Sequence, residues 1–244
     1  MRLAFAALAA LTIALPAQAQ TQMSEAERDA FRAEVRAYLM ENPEVIMEAI
    51  DVLQAREEAM QAQADAAMVQ AQMEALTNDG FSFVDGNPDG DITIVEFMDY
   101  RCGYCKRAFP EVESLLSADG NIRLIVKEFP ILGEESVLAS RFAIATKMIA
   151  GDDAYKAVHD TLMELNGSPN IDTLVRLGNT LGLDTDAITA MMNDDAVTQV
   201  IANNRALGQA LRISGTPTFV VADQMVRGYV PADQLQQLVD DLRG

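Results

Sequence analysis

Apolar side chains recur at helical spacing in the part of the chain that follows residue 23. Ser24 and Glu27 have the spacing of a capping box, which favours a helix start at this point. Asn42-Pro43 supplies an N-cap and a first-turn residue for a second helix, which meets no further Gly or Pro before about Leu76. The apolar positions on these helices are Phe31, Val35, Tyr38, Leu39, Val45, Ile46, Ala49, Ile50 and Leu53. The pattern therefore predicts two consecutive amphipathic helices.

These two helices are too small to enclose a core by themselves, so their apolar stripes need a partner surface. The stretch Ala59–Met73 is rich in Ala, Gln and Met, and Asp65 is its only charged residue, which is typical of a rod or a soft linker. The spacing from Ile46 onward fits a weak coiled coil, although Glu57 occupies one seam position. We therefore predict an oligomerisation arm and linker over residues 20–77. A helical hairpin docked on the rest of the chain is the alternative.

From residue 78 onward the apolar spacing becomes that of strands mixed with helices. Strands are predicted near Phe81–Val84, Ile92–Met98, Ile122–Phe129, Thr218–Val221 and Met225–Val230, with a last helix at Ala232–Leu242. Between the third and fourth strands, from about residue 134 to 211, the pattern is helical throughout. This order predicts an α/β domain over residues 78–244 that carries a helical insertion.

Composition and charge narrow the class of protein. Half of the 244 residues are apolar, which is enough to build a core and excludes wholesale disorder. The chain has 37 acidic and 18 basic residues and a net charge of -19, which argues against a phosphate-binding surface. We therefore expect no nucleic-acid partner, and we assign no cofactor and no metal.

The first residues have the pattern of a secretory signal peptide. Arg2 precedes the apolar run Leu3–Leu15, and Ala17-Gln18-Ala19 forms an A-x-A cleavage site. A membrane anchor is the alternative, but this run is shorter than the ~20 residues that a spanning helix needs. We predict cleavage after Ala19, so that residues 1–19 are removed and the mature chain enters an exported, oxidising compartment.

A Cys-x-x-Cys motif directly follows the second predicted strand and opens a predicted helix. This order places Cys102 at a helix N-terminus, where free backbone N–H groups and the helix dipole favour a thiolate, with Cys105 one turn on. A zinc site would need further ligands, and His159 is the chain's single histidine. A purely structural disulfide would enclose two residues and constrain the unfolded chain very little. A redox-active pair is the interpretation that we prefer.

Three segments resemble the DsbA-type thioredoxin-fold thiol-disulfide oxidoreductases. They read VEFMDYRCGYCK at Val95–Lys106, KEFPILG at Lys127–Gly133 and SGTPTF at Ser214–Phe219. The resemblance extends from about Phe81 to Gly244 and implies a thioredoxin-like fold with a helical insertion. The segment before it is similar to the arm of ScsC-like members, which implies a homo-oligomer formed through residues 20–77.

The resemblance also implies roles for the residues of the motif. It makes Cys102 the nucleophile and Cys105 the resolving thiol, while Gly103 and Tyr104 tune the stability of the thiolate and face the substrate. The pair Gly103-Tyr104 lacks the histidine that the strongest oxidants of the family carry between their cysteines.

Two further positions follow from the same resemblance. Thr216-Pro217 matches the loop that faces the disulfide, with Pro217 in the cis form, which would expose the backbone of Thr216 to an extended substrate. Glu96 matches the family's buried acid, which exchanges a proton with Cys105. The alternative for Glu96 is an ordinary half-buried strand carboxylate.

Together these features predict a periplasmic disulfide isomerase or reductase. Cys-Gly-Tyr-Cys, a Thr before Pro217 and an oligomerising arm resemble the features of disulfide isomerases. A dithiol oxidase is the first alternative, and a thiol-dependent copper-handling protein is the alternative that is not an enzyme. The expected partners are exported proteins that contain thiols or disulfides, and a membrane protein that resets the two cysteines.

Overall fold

The computed structural model describes residues 23–244, so the predicted signal peptide at 1–19 lies outside the described residues. The chain divides between Arg56 and Glu57 into two compact units. Its elements are α1 (Glu25–Glu41), α2 (Glu44–Ala71), α3 (Met73–Thr77), β1 (Phe83–Gly86), β2 (Ile92–Met98), α4 (Gly103–Ala118), β3 (Ile122–Glu128), α5 (Glu134–Ala150), α6 (Asp152–Glu164), α7 (Ile171–Thr180), α8 (Thr185–Met191), α9 (Asp195–Ala210), β4 (Thr218–Val221), β5 (Gln224–Arg227) and α10 (Ala232–Arg243). Across residues 23–244 we find no helix with both the length and the apolar character that membrane crossing demands.

The first unit contains α1 and the N-terminal half of α2. The predicted capping box is present: the backbone N–H of Glu27 donates to Ser24 Oγ at 3.3 Å, and the backbone N–H of Ser24 donates to the Glu27 carboxylate at 2.8 Å. Most of the large apolar side chains of this unit are exposed, as Phe31 (61%), Ile46 (49%) and Leu53 (57%) illustrate. Both helices thus form as the pattern predicts, with their apolar stripes at the surface of the single chain.

The second unit is built on a mixed five-stranded sheet with the order β1-β3-β2-β4-β5. The two central strands, β2 and β3, are parallel, and Ile92 pairs with Ile122 at the start of their register. The other strand pairs are antiparallel. The connection from β2 to β3 runs through α4, so the parallel pair leads directly into the helix that opens with the two cysteines.

Side chains alternate between the two faces of β2 and divide the core into two layers. Ile94 and Met98 belong to the cluster that includes Cys105 and Ala108 of α4. Val95 and Phe97, on the opposite face, pack in a second cluster with residues from the ends of α2 and α9. Helix α4 therefore covers one face of the sheet, and the chain segment before the sheet, together with the end of α9, covers the other.

The segment from Glu57 to Thr77 belongs to the second unit, whereas the sequence pattern assigned it to the arm and linker. Val69 and Leu76 are fully buried in the second core cluster. The Asp65 carboxylate accepts two hydrogen bonds from the Arg227 guanidinium and one from Gln61 at 2.8 Å. The segment looks like a spacer in the sequence because only a few of its side chains supply the apolar surface that packs on the sheet.

Five helices, α5 to α9, lie where the sequence pattern indicated a helical stretch between β3 and β4. They contribute buried apolar residues to the same cluster that includes Cys105, among them Phe142, Val158 and Leu174. β5 ends at Arg227, before the predicted end at Val230. The backbone N–H of Gly228 still donates to the carbonyl of Pro217 at 2.9 Å, but Pro217 has no N–H to donate in return, and the backbone of Gly228 has a φ of 91°. The overall architecture confirms the predicted α/β thioredoxin-like fold with a helical insertion.

Candidate active site

Cys102 is the N-cap residue of α4, at the carboxyl end of the central strand β2. Its backbone is extended, and its sulfur accepts a hydrogen bond from the backbone N–H of Cys105 at 3.3 Å. The turn that leads into the helix is closed by the backbone N–H of Cys102, which donates to the carbonyl of Asp99 at 3.0 Å. The sulfur therefore lies where the unpaired N–H groups of the first helical turn point.

This position stabilises the negative form of the Cys102 sulfur. Its pKa falls from 9.0 to about 5, chiefly because the Cys105 thiol donates a hydrogen bond to it. Thr216 and the backbone N–H groups of Tyr104 and Cys105 act in the same direction, and partial burial opposes them. A thiolate is the reactive form of cysteine, so Cys102 is the sulfur prepared to act as a nucleophile near neutral pH.

Cys105 has the opposite character. It is fully buried on the inner side of α4, and desolvation together with the neighbouring Cys102 and Glu96 raises its pKa far above the ordinary value. Both cysteines are free thiols in this structure. Cys102 is 7% exposed and favours the thiolate, whereas Cys105 is fully buried and stays protonated. Two thiols of such different acidity, three residues apart, form the asymmetric pair that stepwise thiol-disulfide exchange needs.

Glu96 lies on β2 between Ile94 and Met98. Because alternate residues of a strand point to the same face, its side chain shares with theirs the face that α4 covers. It is 4% exposed, and its Oε1 has no hydrogen-bond partner among the described residues. Burial, assisted by the charges of Cys102 and Glu113, raises the pKa of Glu96 to about 8. The charge of Glu96 in turn raises the pKa of Cys105, so an ionised Glu96 disfavours the Cys105 thiolate in the same buried site.

The loop before β4 completes the site. The Thr216-Pro217 peptide bond is cis, and Thr216 is half-buried while Pro217 is buried. In its thiol form Cys102 donates a hydrogen bond to the carbonyl of Thr216, with 3.1 Å between sulfur and oxygen. Thr218 Oγ1 donates to the carbonyl of Gly215 at 2.9 Å and closes the loop on the other side. The loop thus places its backbone directly against the nucleophilic sulfur.

The structure brings together the residues that the sequence singled out. Cys102 and Cys105, at the start of α4, meet Glu96 of β2, and Thr216-Pro217 faces Cys102. Gly103 and Tyr104, between the two cysteines, are exposed to solvent, and Tyr104 is 63% exposed. Within residues 23–244, no three His, Cys, Asp or Glu side chains are grouped so that they could hold a metal ion.

Sequence reasoning missed Asp99, the fully buried residue that follows β2. Its carboxylate accepts a hydrogen bond from the backbone N–H of Arg101 at 2.8 Å, and from those of Ile131 and Leu132 at 2.8 and 3.0 Å. Asp99 therefore joins the turn Asp99–Cys102, here called the cysteine turn, to the loop after β3. An Asp immediately after a buried strand and three residues before a Cys was the available signal, since Asp favours such turn positions.

Comparison with known proteins agrees with this architecture. Residues 93–240 match the DSBA-like thioredoxin domain, and residues 27–59 match the Copper resistance protein ScsC N-terminal domain. A thioredoxin-like oxidoreductase from Silicibacter pomeroyi is 45% identical, with a TM-score of 0.66 over 70% of this chain and 96% of its own. ScsC from Proteus mirabilis in a compact conformation is 30% identical, with a TM-score of 0.67 over 88% of this chain and 98% of its own.

A curated sequence relative, the Na(+)/H(+) antiporter NhaA 3 of Salinispora tropica, is 30% identical over 138 residues, which are 57% of this chain. The chain spans only 21% of the length of that relative. The domain match, by contrast, covers more than half of the chain and contains both cysteines and the cis-proline loop. The chain therefore belongs to the DSBA-like thioredoxin-domain family of thiol-disulfide oxidoreductases, with an N-terminal segment of the ScsC type.

Proposed function

We propose that this protein is a periplasmic disulfide isomerase or reductase that works through Cys102-Gly103-Tyr104-Cys105 and a mixed disulfide with its substrate. The observation that carries the proposal is the site itself: a Cys102 sulfur with a depressed pKa at a helix N-terminus, against the Thr216 carbonyl, with a buried Cys105 behind it. The substrates would be exported proteins with mispaired or unwanted disulfides. A membrane redox partner would return the cysteines to the dithiol form.

The first step follows from the charge of Cys102. Its thiolate attacks one sulfur of a substrate disulfide, that S–S bond breaks, and the other substrate sulfur leaves as a thiolate. An extended substrate segment can pair with the backbone of Thr216, which lies beside the attacked sulfur. The product of this step is a mixed disulfide between Cys102 and the substrate.

Glu96 would control the second step. Formation of the mixed disulfide removes the negative charge of Cys102, which is one of the charges that raise the pKa of Glu96. The pKa of Glu96 then falls, and its carboxylate becomes available to take the proton of Cys105. The Cys105 thiolate attacks Cys102, the substrate leaves as a thiolate, and the enzyme disulfide forms. In isomerisation a second substrate thiolate attacks instead and regenerates the Cys102 thiolate.

Two features support isomerisation or reduction over oxidation. The residues between the cysteines are Gly and Tyr, without the histidine that the resemblance associates with strong oxidants. The arm exposes apolar side chains such as Phe31 and Leu53, which suits self-association of several copies. Several active sites in one assembly hold a misfolded chain by avidity while its disulfides rearrange.

A dithiol oxidase is the second candidate, and one observation favours it. A Cys102 pKa of about 5 stabilises the reduced enzyme relative to its disulfide, and this makes the disulfide a better oxidant. The two candidates differ in what they need from Cys105. Oxidation and reduction both require Cys105 to close the enzyme disulfide, whereas isomerisation can proceed through Cys102 alone.

Reactivation of a scrambled, disulfide-containing substrate by the reduced mature protein tests the proposal. We expect recovery that requires Cys102, is lost in Cys102→Ser and is retained in part in Cys105→Ala. Rapid oxidation of a reduced substrate by the oxidised protein, without any recovery of the scrambled one, would assign the oxidase. Stoichiometric copper binding without exchange in either assay would assign the copper-handling alternative.

We further propose that the arm forms a homo-oligomer through its exposed apolar stripe. The full-length mature chain with Ile46→Glu and Leu53→Glu should dissociate in sedimentation at concentrations where the unchanged protein is assembled. Ala55→Glu adds a charge on the opposite face of α2 and should leave the assembly intact. A deletion should stop at Arg56, because Val69 and Leu76 belong to the core of the second unit. Assembly that survives the double substitution would refute the proposal.

Periplasmic location depends on the predicted signal peptide. N-terminal sequencing of the exported protein should begin at Gln20, and a chain expressed without residues 1–19 should remain in the cytoplasm. Recovery of an uncleaved, membrane-bound chain would contradict both the cleavage site and the location.

A further inference from the structure

A second buried carboxyl group, separate from Glu96, lies at the end of β3. Glu128 is buried, and its carboxylate accepts three hydroxyl hydrogen bonds. Tyr100 and Tyr155 both donate to Oε1 at 2.7 Å, and Ser140 donates to Oε2 at 2.6 Å. Burial raises the pKa of Glu128 to about 7, and the nearby charge of Asp99 acts in the same direction. The proposed exchange chemistry makes no use of this group.

The network continues from Tyr100 to His159. The Tyr100 oxygen lies 3.0 Å from His159 Nδ1, and since its single hydrogen is donated to Glu128, the histidine must be the donor. Burial, with the charge of Lys156, lowers the pKa of His159 to about 3, so the ring is neutral and carries its proton on Nδ1. The hydrogen bonds therefore run in one direction, from His159 through Tyr100 to Glu128.

Tyr100 is part of the turn that presents the nucleophile. It is the second residue of Asp99–Cys102, the turn that the Cys102 N–H closes on the Asp99 carbonyl at 3.0 Å. Asp99 attaches the same turn to the backbone N–H groups of Ile131 and Leu132. Two adjacent side chains of the turn are thus fastened to the end of β3 and the loop after it.

Two adjacent anchors define the turn more tightly than either one. A single anchor fixes a point and leaves rotation about it, while two anchors from neighbouring residues, which point to different partners, also fix the orientation of the backbone that follows. That backbone carries the Cys102 sulfur to 3.3 Å from the backbone nitrogen of Cys105, whose N–H donates to the sulfur and stabilises its negative form. A small displacement there changes the hydrogen bonds that stabilise the thiolate.

We propose that Tyr100 and Glu128 are positioning residues for Cys102, holding the cysteine turn so that its sulfur keeps the hydrogen bonds that stabilise the thiolate. The inference rests on the proposed function, in which Cys102 is the nucleophile. Asp99 supplies the other anchor of the same turn. Tyr155 and Ser140 complete the carboxylate's hydrogen bonds from α6 and α5 and do not belong to the turn.

Tyr155→Phe is the matched control for Tyr100→Phe. Each substitution removes one hydroxyl that donates to the same Glu128 oxygen at the same 2.7 Å, and both side chains are almost wholly buried. A merely structural network would make both variants lose stability and leave Cys102 unchanged. A positioning network makes only Tyr100→Phe alter the thiolate.

The experiment measures the titration of Cys102 in the reduced full-length mature protein by thiolate absorbance and by alkylation rate. We expect Tyr100→Phe to raise the pKa of Cys102 by about 0.5 or more, so that thiolate at about pH 4 falls about threefold. Tyr155→Phe should titrate like the unchanged protein. The inference is overturned if Tyr100→Phe titrates like the unchanged protein. It is also overturned if Tyr155→Phe shifts the pKa of Cys102 by as much as Tyr100→Phe does.

Glu128→Gln is the second variant and keeps the test decisive if Tyr100→Phe does not fold. The amide retains the shape of the side chain but replaces one of the two accepting oxygens with an NH2 group, which donates. The three hydroxyls that donate to Glu128 then cannot all keep their acceptor, and the pKa of Cys102 should again rise. An unchanged Cys102 titration in Glu128→Gln would count against the inference. The thiol-disulfide exchange activity of the unchanged protein is measured in parallel, and its absence would reject the proposed function. Variants whose Cys102 titrates as it does in the unchanged protein would reject only the positioning role.

Discussion

Replacing Glu96 by Gln should stabilise the reduced protein at neutral pH and have little effect in acid. Glu96 is wholly buried, and burial raises its pKa from 4.5 to about 8. The folded protein therefore holds a proton on this side chain at pH values where the unfolded chain has released it. Stability that depends on this proton is fully present below about pH 4.5 and is lost as pH rises towards 8.

The two pKa values set the size of the effect. With 4.5 for the unfolded chain and about 8 for the folded protein, Glu96 lowers the free energy of unfolding by about 3 kcal/mol at pH 7 and by about 0.8 kcal/mol at pH 5. A neutral glutamine has no such titration. Burial of its amide has its own cost, which is the same at both pH values. The difference between the two pH values, about 2 kcal/mol, is therefore the quantity to measure.

Denaturant unfolding of the reduced protein and of Glu96→Gln at about pH 5 and about pH 7 provides this quantity. Glu164→Gln, a substitution of the same kind at an exposed helix end, is the control against which the change in stability of Glu96→Gln is compared at each pH. Repeating the measurement in a Cys102→Ser background isolates the part that the Cys102 charge contributes. A pH-independent effect of Glu96→Gln would refute the assignment of Glu96 as a buried proton carrier.

Three other outcomes are expected. Mass spectrometry after labelling of the reduced protein should show Cys102 titrating near pH 5, with Cys105 unreactive throughout; labelling of Cys105 in the native protein would contradict its burial. In denaturant unfolding, Val69→Ala should cost about 1–2 kcal/mol and Met60→Ala, an exposed position on the same helix, under about 0.5 kcal/mol; equal losses would remove Val69 from the core. Thermal unfolding of Asp65→Asn should show a loss of about 1–2 kcal/mol, and an unchanged midpoint would show that its pair with arginine is neutral.

Local patterns were sufficient for most elements. The capping box at Ser24, the strand that ends at Met98 and the helix that opens after Cys102 are each encoded by neighbouring residues, so spacing alone places them. The resemblance carried by the cysteine motif and by Ser214–Phe219 implied the fold, and the cis bond before Pro217 is present as it implied.

The end of α2 is where the pattern was least informative. Residues 57–77 form helices, as their composition favours, but periodicity did not reveal that Val69 and Leu76 are core residues. The surface that buries them is built from β2, β3, β4 and α9, all of which follow later in the chain. Burial of this kind depends on the sheet being assembled, and a sparse apolar pattern on an Ala-rich helix does not encode it.

The sequence by itself determined the order of the elements and the position of the cysteine pair at a helix N-terminus, because these features depend on residues close together in the chain. The loop that faces the pair was implied by the resemblance of Ser214–Phe219 to the family. The tertiary structure alone decided that Asp99 binds the loop at Ile131, and that Tyr100 meets Glu128, 28 residues away, and His159, 59 residues away. Such contacts form only when the strands pair and the insertion packs on their ends, because hydrogen bonding between distant residues leaves no periodic signal in a single sequence.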